Sequence, residues 1–368
     1  APGGRQQSPQ DPEARSTVAN RNTLGLDIGS HCIRAVELRE SKRGMELMRF
    51  GIATLPPDAI VDGSFMNFPL IVDRIRELVK SQKIKQKRTA LAVSGNSVIV
   101  KKITLPEMTE EELQDSVQWE AENYIPFDIK DVNVDVQILS PHAGEGQMEV
   151  LLVAAKKEVI NDYVSVVVEA GLDPVVMDVA TFTVQNALEL NYGTFPDQVV
   201  AVINVGSSTM NINVLSSGVT AFTRDLATGA RTITEEIQKQ FNLPWDEAET
   251  YKVTPVDDLP NRGLAREVKK LVRRASDTLA TEIQRSLDFF AATTANVALS
   301  KLFLCGGGAI CPEFVTVVSE RLGLPTEIMN PFQNITINPR YVDLDLLRDH
   351  AAQASVAVGL ALRKLDER

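Results

Sequence analysis

Three glycine-bearing turns carry the residues of this sequence that could do chemistry: DIGS over 27–30, NVGSST over 204–209 and CGGGA over 305–309. Each follows a short apolar run. Glycine lets the backbone approach a ligand and adopt positive φ, so successive amides can be aimed at phosphate oxygens. The hydroxyls of Ser30, Ser207, Ser208 and Thr209 add donors without bulk. Asp27 could hold a magnesium ion through water, since hard cations prefer oxygen ligands. Gly306, Gly307, Gly308 and Ala309 would give a flat surface on which a base or ribose can lie. Taken singly, DIGS also reads as a tight hairpin and GGGA as a strand-to-helix connector, and only their order and spacing make the pattern specific.

The first two turns sit in a repeat. Leu26 to Leu38 reads LDIGSHCIRAVEL and Ile203 to Leu215 reads INVGSSTMNINVL, so Asp27 aligns with Asn204, Gly29 with Gly206 and Ser30 with Ser207. A distant repeat inside one chain points to two similar halves.

The elements that must position these turns follow from periodicity. Strands are expected over Leu24–Leu38, as a hairpin, and over Met45–Leu55, then a helix over Phe68–Gln82 and a strand over Thr89–Ser94. A compact α/β insertion follows, from about 98 to 170. It holds the strand VIVKKITL, a helix over Thr109–Tyr124 opened by a Thr109–Glu112 capping box, strands over Val132–Leu139 and Met148–Ala155, and a helix over Glu158–Ala170. The second half opens at Gln198 with the repeated hairpin, followed by Val219–Arg224 and a helix over Ala230–Phe241. The stretch 244–299 reads as mostly helical, Lys301–Cys305 as a strand, and Leu346–Leu365 as a last helix.

The composition is that of a globular chain, with 368 residues, 44% apolar, 24% charged and a net charge of −11. That acidity argues against a nucleic-acid partner. Cys32, Cys305 and Cys311 form no metal-type pair and no disulfide framework, which suits a reducing cytoplasm. No apolar run approaches the ~18–20 residues that span a bilayer. Residues 1–22, rich in Pro, Gln and Arg, are expected to be a disordered tail without the apolar core of a signal peptide, and not necessarily native.

The three turns together resemble the phosphate 1, phosphate 2 and adenosine motifs of the actin, Hsp70 and sugar-kinase superfamily, from Leu24 onward. Within it, LGLDIGSHCIRAVEL, LPEMTEEELQDSVQWEAENYIPFDI, GLDPVVMDVATFTVQNAL and LFLCGGGAICPEF resemble the PilM family of bacterial type IV pilus proteins, related to the division protein FtsA. The resemblance implies an actin-like, ribonuclease H-like duplicated α/β fold enclosing ATP and Mg2+. It implies a domain 1A over 23–97, 172–197 and 346–368, an inserted 1C-type subdomain over 98–171, a domain 2A over 198–243 and 300–345, and a mostly helical 2B over 244–299. Carried over by position, Asp27, Gly29 and Ser30 make the first phosphate loop, with Asp27 near the metal. His31 and Cys32 replace small or hydroxyl residues, and their amides could still serve. Arg34 replaces a phosphate-contacting lysine, keeping charge but not geometry. Gly206, Ser207, Ser208 and Thr209 make the second loop, and Gly306 to Ala309 the adenosine turn. Glu249 and Lys252 match an acid and a lysine beside ribose and base, although the pair also reads as a solvated helix face.

The same resemblance implies a scaffold at the cytoplasmic face of the inner membrane that takes the N-terminal cytoplasmic peptide of PilN, a single-pass membrane protein. Other pilus components, motor ATPases among them, would join it there. The insertion offers edge strands and an amphipathic helix for such a peptide. A polymerising FtsA-like protein would be expected to carry a linker and amphipathic helix after the last domain helix, where this sequence reads KLDER. A small-molecule kinase would need a catalytic acid, and nothing upstream of the second loop marks one. No nucleophile stands beside His31, His142 or His350. Brisk ATPases of the superfamily carry Asp at the water- and metal-ordering position held here by Asn204, which has no charge and cannot act as a base. ATP is therefore expected to be bound with slow or no hydrolysis, its work conformational. An Asn204→Asp variant should hydrolyse ATP faster in a single-turnover assay, and an unchanged rate would remove that role.

Overall fold

The computed structural model describes residues 23–294 and 297–364. The expected tail over 1–22 and residues 365–368, assigned to the last helix, lie outside the described residues. The first half begins with the meander β1 (Leu24–Ile28), β2 (Cys32–Ser41) and β3 (Gly44–Thr54), then α1 (Phe68–Ser81) and β4 (Arg88–Val93). The insertion follows as β5 (Val98–Pro106), α2 (Glu110–Glu122), β6 (Val132–Gly144), β7 (Gln147–Lys156) and α3 (Lys157–Glu169). β8 (Asp173–Val179) and α4 (Ala180–Tyr192) return to the first half.

The second half repeats the meander as β9 (Val199–Val205), β10 (Met210–Ser216) and β11 (Val219–Leu226). Helices α5 (Arg231–Phe241), α6 (Trp245–Val253) and the 32-residue α7 (Arg262–Thr293) come next. The chain continues through β12 (Lys301–Cys305), α8 (Pro312–Leu322), β13 (Thr326–Ile328), β14 (Thr336–Ile337), α9 (Leu344–His350) and α10 (Ser355–Ala361).

The two main sheets share one topology. The first runs β8-β4-β1-β2-β3-β14 and the second β13-β12-β9-β10-β11. In each, an antiparallel meander is extended on its first strand by two parallel strands. Antiparallel neighbours need only a tight turn, whereas parallel ones need a crossover, so the chain places its short glycine turns within the meanders and its helices between the parallel strands.

Helices α4 and α10 lie between the sheets and bury one shared core. Ala187 and Leu188 of α4 and Ala357, Val358 and Leu360 of α10 pack with Val36, Leu38 and Leu47 from the first sheet and Val200, Val202 and Phe303 from the second. Close approach depends on two glycines. A Cβ on Gly25 of β1 would stand 2.0 Å from the Ala357 carbonyl oxygen, and one on Gly359 would stand 1.8 Å from that of Thr183.

The insertion has a separate core of Ile103, Leu105, Leu113, Val117, Met148, Val150 and Leu152 under α2. Its sheet runs β5-β7-β6, so β5 and β6 are both edges. The capping box is formed, Thr109 accepting from the Glu112 N–H and Glu112 accepting from that of Thr109. Helix α3, read with the insertion on sequence order, instead packs Val166 and Val167 into the core of β1, β2 and α1. Periodicity gives α3 an apolar face but cannot say which sheet receives it.

The last helix is not continuous from 346: a 3-10 turn over Ala351–Ala354 separates α9 from α10. The carbonyl of Ala352 there accepts the N–H of Gly306 in the third turn at 2.8 Å, so the break presents a backbone acceptor that an α-helix would have used internally.

Because Gly25 abuts backbone rather than a movable side chain, a Gly25→Ala variant is expected to lose about 3 kcal/mol of stability. Urea denaturation at constant m-value checks this, and a loss under ~0.5 kcal/mol would mean that α10 can shift away.

Candidate functional site

The duplicated turns meet. Ser30 Oγ of the first half and Ser208 Oγ of the second share a hydrogen bond of 2.8 Å across 178 residues of chain. Each turn closes in the same way, the Gly29 N–H donating to the Cys32 carbonyl at 3.0 Å and the Gly206 N–H to that of Thr209 at 2.9 Å. The second turn is also seated on the start of α5, where the N–H groups of Ala230 and Arg231 donate to the carbonyls of Gly206 and Ser207 at 3.0 Å each. Those carbonyls are thus satisfied by the start of α5. Gly229 permits the seating, since a Cβ there would come within 2.5 Å of both carbonyl oxygens.

Below each turn the aligned positions form a cross-strand pair. Asp27 faces Arg34, and Asn204 faces Asn211. In the first half this is an ion pair, Arg34 Nη1 to Asp27 Oδ2 at 2.8 Å. Burial pushes the Asp27 carboxyl up from its ordinary pKa, and the guanidinium pulls it back only in part. Arg34 Nε is buried with no partner.

In the second half the pair is uncharged and belongs to a longer relay. Asn204 Nδ2 donates to Asn211 Oδ1 at 3.0 Å, Asn211 Nδ2 donates to Asp225 Oδ1 at 2.8 Å, and the Gly95 N–H donates to Asp225 Oδ2 at 2.5 Å. Gly95 belongs to the first half, just ahead of the insertion, so the relay joins the halves a second time. Burial pushes Asp225 up, and its two donors oppose this.

The remaining sequence-derived residues fall around these turns. Gly306 (φ +83°) and Gly308 press on the second turn: a Cβ on Gly306 would lie 2.4 Å from Asn204 Oδ1, and one on Gly308 2.2 Å from Val205 Cγ1. Gly307 faces open space and Ala309 is buried. The Cys32 and Cys305 thiols are buried and pushed up by burial, Cys305 to about 12, which keeps both protonated. Burial lowers the pKa of His31, with Glu249 opposing and Lys252 and Arg34 adding to the shift, so α6 lies within electrostatic reach of the first turn.

Lys252 is only 4% exposed and is satisfied internally. Its Nζ donates to Glu249 at 2.6 Å and Thr234 Oγ1 at 2.8 Å. Glu249, which also accepts from the Thr234 hydroxyl, is the more exposed member of the pair. The structure thus gathers the three turns, with Lys252 behind them as a support for Glu249.

Several residues of the site escaped the sequence reading. Arg231 crosses the cleft, its Nη1 donating to the Pro57 carbonyl at 2.6 Å, and its guanidinium stacks 5.5 Å from the Trp245 ring centroid. Trp245 faces His31 at 6.3 Å, and its Nε1 is buried without a partner. Asn211 stood in the repeat opposite Asn204, where alignment with Arg34 could have marked it. Asp225, in RDLATG, carried no signal beyond being an acid at a strand end before a glycine.

These residues fit a bound nucleotide. The unpartnered Arg34 Nε suits an anion, and open Gly307 suits a flat group. The metal is less well served by protein alone, because among the described residues no cluster of three or more His, Cys, Asp or Glu side chains could hold one. That matches magnesium's habit of keeping its waters and leaning on phosphate with one or two carboxylates.

Two sheets with the same five-strand core, packed on paired helices and meeting at duplicated glycine turns, define an actin-like ATPase fold. The chain belongs to the family of type IV pilus assembly proteins PilM, whose family model matches residues 25–365. Among solved structures it is similar to the PilM-PilN type IV pilus biogenesis complex, at 28% identity and a TM-score of 0.84, covering 95% of this chain and 100% of that one. It is also similar in fold to the ethanolamine utilization protein EutJ from Carboxydothermus hydrogenoformans, at 17% identity and a TM-score of 0.55, covering 92% of this chain and 89% of that one.

The relay changes what Asn204→Asp should do. A carboxylate at 204 would face the Asn211 Oδ1, an acceptor, and Asn211 could turn an N–H toward it only by leaving its present geometry. The variant should lose about 1–3 kcal/mol at pH 7. Its added acid and Asp225 would both have folded-state pKa values above the unfolded ones. The stability that protonation brings is then full below pH ~4 and disappears as pH rises through the folded values. Denaturation of variant and parent at pH 5 and 7 should show the deficit growing with pH, and a pH-independent deficit would place the cause outside the relay.

Proposed function

We propose that this protein is an actin-like scaffold of type IV pilus assembly that takes the N-terminal cytoplasmic segment of PilN and binds ATP with magnesium as a conformational ligand with slow or no hydrolysis. The observation that carries the reading is the match of the whole fold to the PilM-PilN complex, full-length on that chain, together with the family match. Docking on PilN would hold the protein at the cytoplasmic face of the inner membrane. Among the described residues no helix is long and apolar enough to cross a membrane, consistent with attachment through a partner.

The domains implied by the family resemblance divide the labour. Domain 1A (23–97, 172–197 and 346–368) and domain 2A (198–243 and 300–345) would close on the nucleotide, with 2B (244–299) behind the ribose. The insertion, read over 98–171 and here taken without α3, would receive the peptide. Two features support that last assignment. Its sheet offers two edges to an extended chain, and Trp119 of α2 is 77% exposed, more than any other large apolar side chain described. Such exposure of an aromatic marks interaction surfaces more often than free surface.

In the nucleotide site, Arg34 and the backbone N–H groups of 30–32 and 207–209 would hold the phosphates, with Ser30 and Ser208 exchanging their mutual hydrogen bond for bonds to ligand. Asp27 would hold a magnesium-bound water. Gly306 to Ala309 and Glu249 would flank the nucleoside, backed by Lys252. Magnesium would supply charge neutralisation of the phosphates. With Asn204 committed to Asn211, no side chain at the second turn is free to act as a base, which supports binding over turnover.

Isothermal titration of the full chain with a synthetic PilN N-terminal peptide tests the reading. Saturable binding is expected, with ATP and magnesium changing the peptide Kd by about 5-fold or more, as coupled sites on one closing fold require. No binding heat with or without nucleotide would remove the scaffold reading.

A further inference from the structure

We infer that Asp225 is a positioning residue that fixes which end of the Asn204 amide faces the third turn, so that Asn204 offers its oxygen there and the site gains a neutral acceptor for a donor group of the ligand. The step rests on the nucleotide reading above only for the ligand's identity. The orientation itself follows from hydrogen-bond arithmetic. An ionised carboxylate only accepts, and a backbone N–H only donates.

Gly95 N–H takes Asp225 Oδ2, which leaves Oδ1 to be filled by a donor. Asn211 supplies it from Nδ2, turning its own oxygen toward Asn204. Asn204 must answer with Nδ2, and its Oδ1 is thereby directed at the third turn, where it accepts from the Cys305 thiol at 3.9 Å and would stand 2.4 Å from a Cβ on Gly306. The Cys305 S–H takes one lone pair of that oxygen, Asn204 is partly buried, and the second lone pair is the one assigned to the ligand.

The chemistry that such an oxygen takes is a hydrogen-bond donor: a water on a divalent cation or a sugar hydroxyl. A carboxylate at 204 would bring negative charge to the same place. Here the charge sits two hydrogen bonds deeper, on Asp225, where it sets polarity without repelling phosphate.

The discriminating variant is Asp225→Asn, nearly identical in shape. Asn has one accepting and one donating end. To satisfy Gly95 it must turn Nδ2 toward Asn211, which reverses Asn211 and then Asn204, so that Asn204 presents Nδ2 to the third turn. In NMR spectra of the full chain, the Asn204 side-chain amide is identified by its loss in Asn204→Ala, and its solvent exchange is expected to quicken at least about tenfold in Asp225→Asn. Asn211→Ser, which cuts the relay but leaves Asp225 on Gly95, should quicken it likewise.

ADP binding is measured alongside, with magnesium and with EDTA. Weakening of about tenfold only with magnesium assigns the donor to metal-bound water, and weakening in both assigns it to the sugar hydroxyl. Unchanged side-chain exchange in both variants, or an increase shared equally by backbone amides throughout β9 and β1, overturns the proposal. If the parent chain binds no ADP under either condition, the nucleotide reading falls and the exchange measurement alone decides the orientation.

Discussion

The backbone contact between α4 and α10 at Gly359 is the constraint on which the rest of the molecule depends. No side chain intervenes there, so the two helices cross as closely as backbones can. Both are apolar on the faces they turn to each sheet, and together they centre a core that takes strand residues from both sheets. A shared core of this kind fixes how the two sheets sit on α4 and α10, and with it the meeting of the turns at the ends of β1 and β9.

Around that crossing the two halves differ in how they treat the same position. The first half answers its buried acid with an arginine on the next strand. The second half has moved its acid one strand outward, to Asp225, and filled the original pair with amides. Burial makes each solution costly unless every donor and acceptor is matched. The second half matches its own through Gly95, which belongs to the other half. The satisfaction of a buried acid thus ties one half to the other.

Much of this was legible in the sequence because it is local. The repeat around Gly29 and Gly206, the alternation of the meander strands and the Thr109–Glu112 capping box are short-range signals, and each marks an element seen in the fold. The actin-like class followed from the order of the three turns. What escaped was whatever depends on contacts distant in sequence. The break at Ala351–Ala354 is coupled to the N–H of Gly306, which no helical periodicity registers. The apolar face of α3 was evident, but not that Val166 and Val167 would enter the first-sheet core. Lys252 read as a cleft residue, yet its surroundings of Thr234, Glu249 and the Ala230 carbonyl come from three separate positions and hold it inside.

The unequal pairs beneath the turns have one further consequence. A cleft built from two copies of one motif has an approximate twofold axis, and an elongated ligand lying across such an axis could be accepted either way round. Arg34 stands on one side of that axis and Asn211 on the other. At this pair of aligned positions one side carries a cation and the other a neutral amide, so the pseudosymmetric turns have two unlike faces.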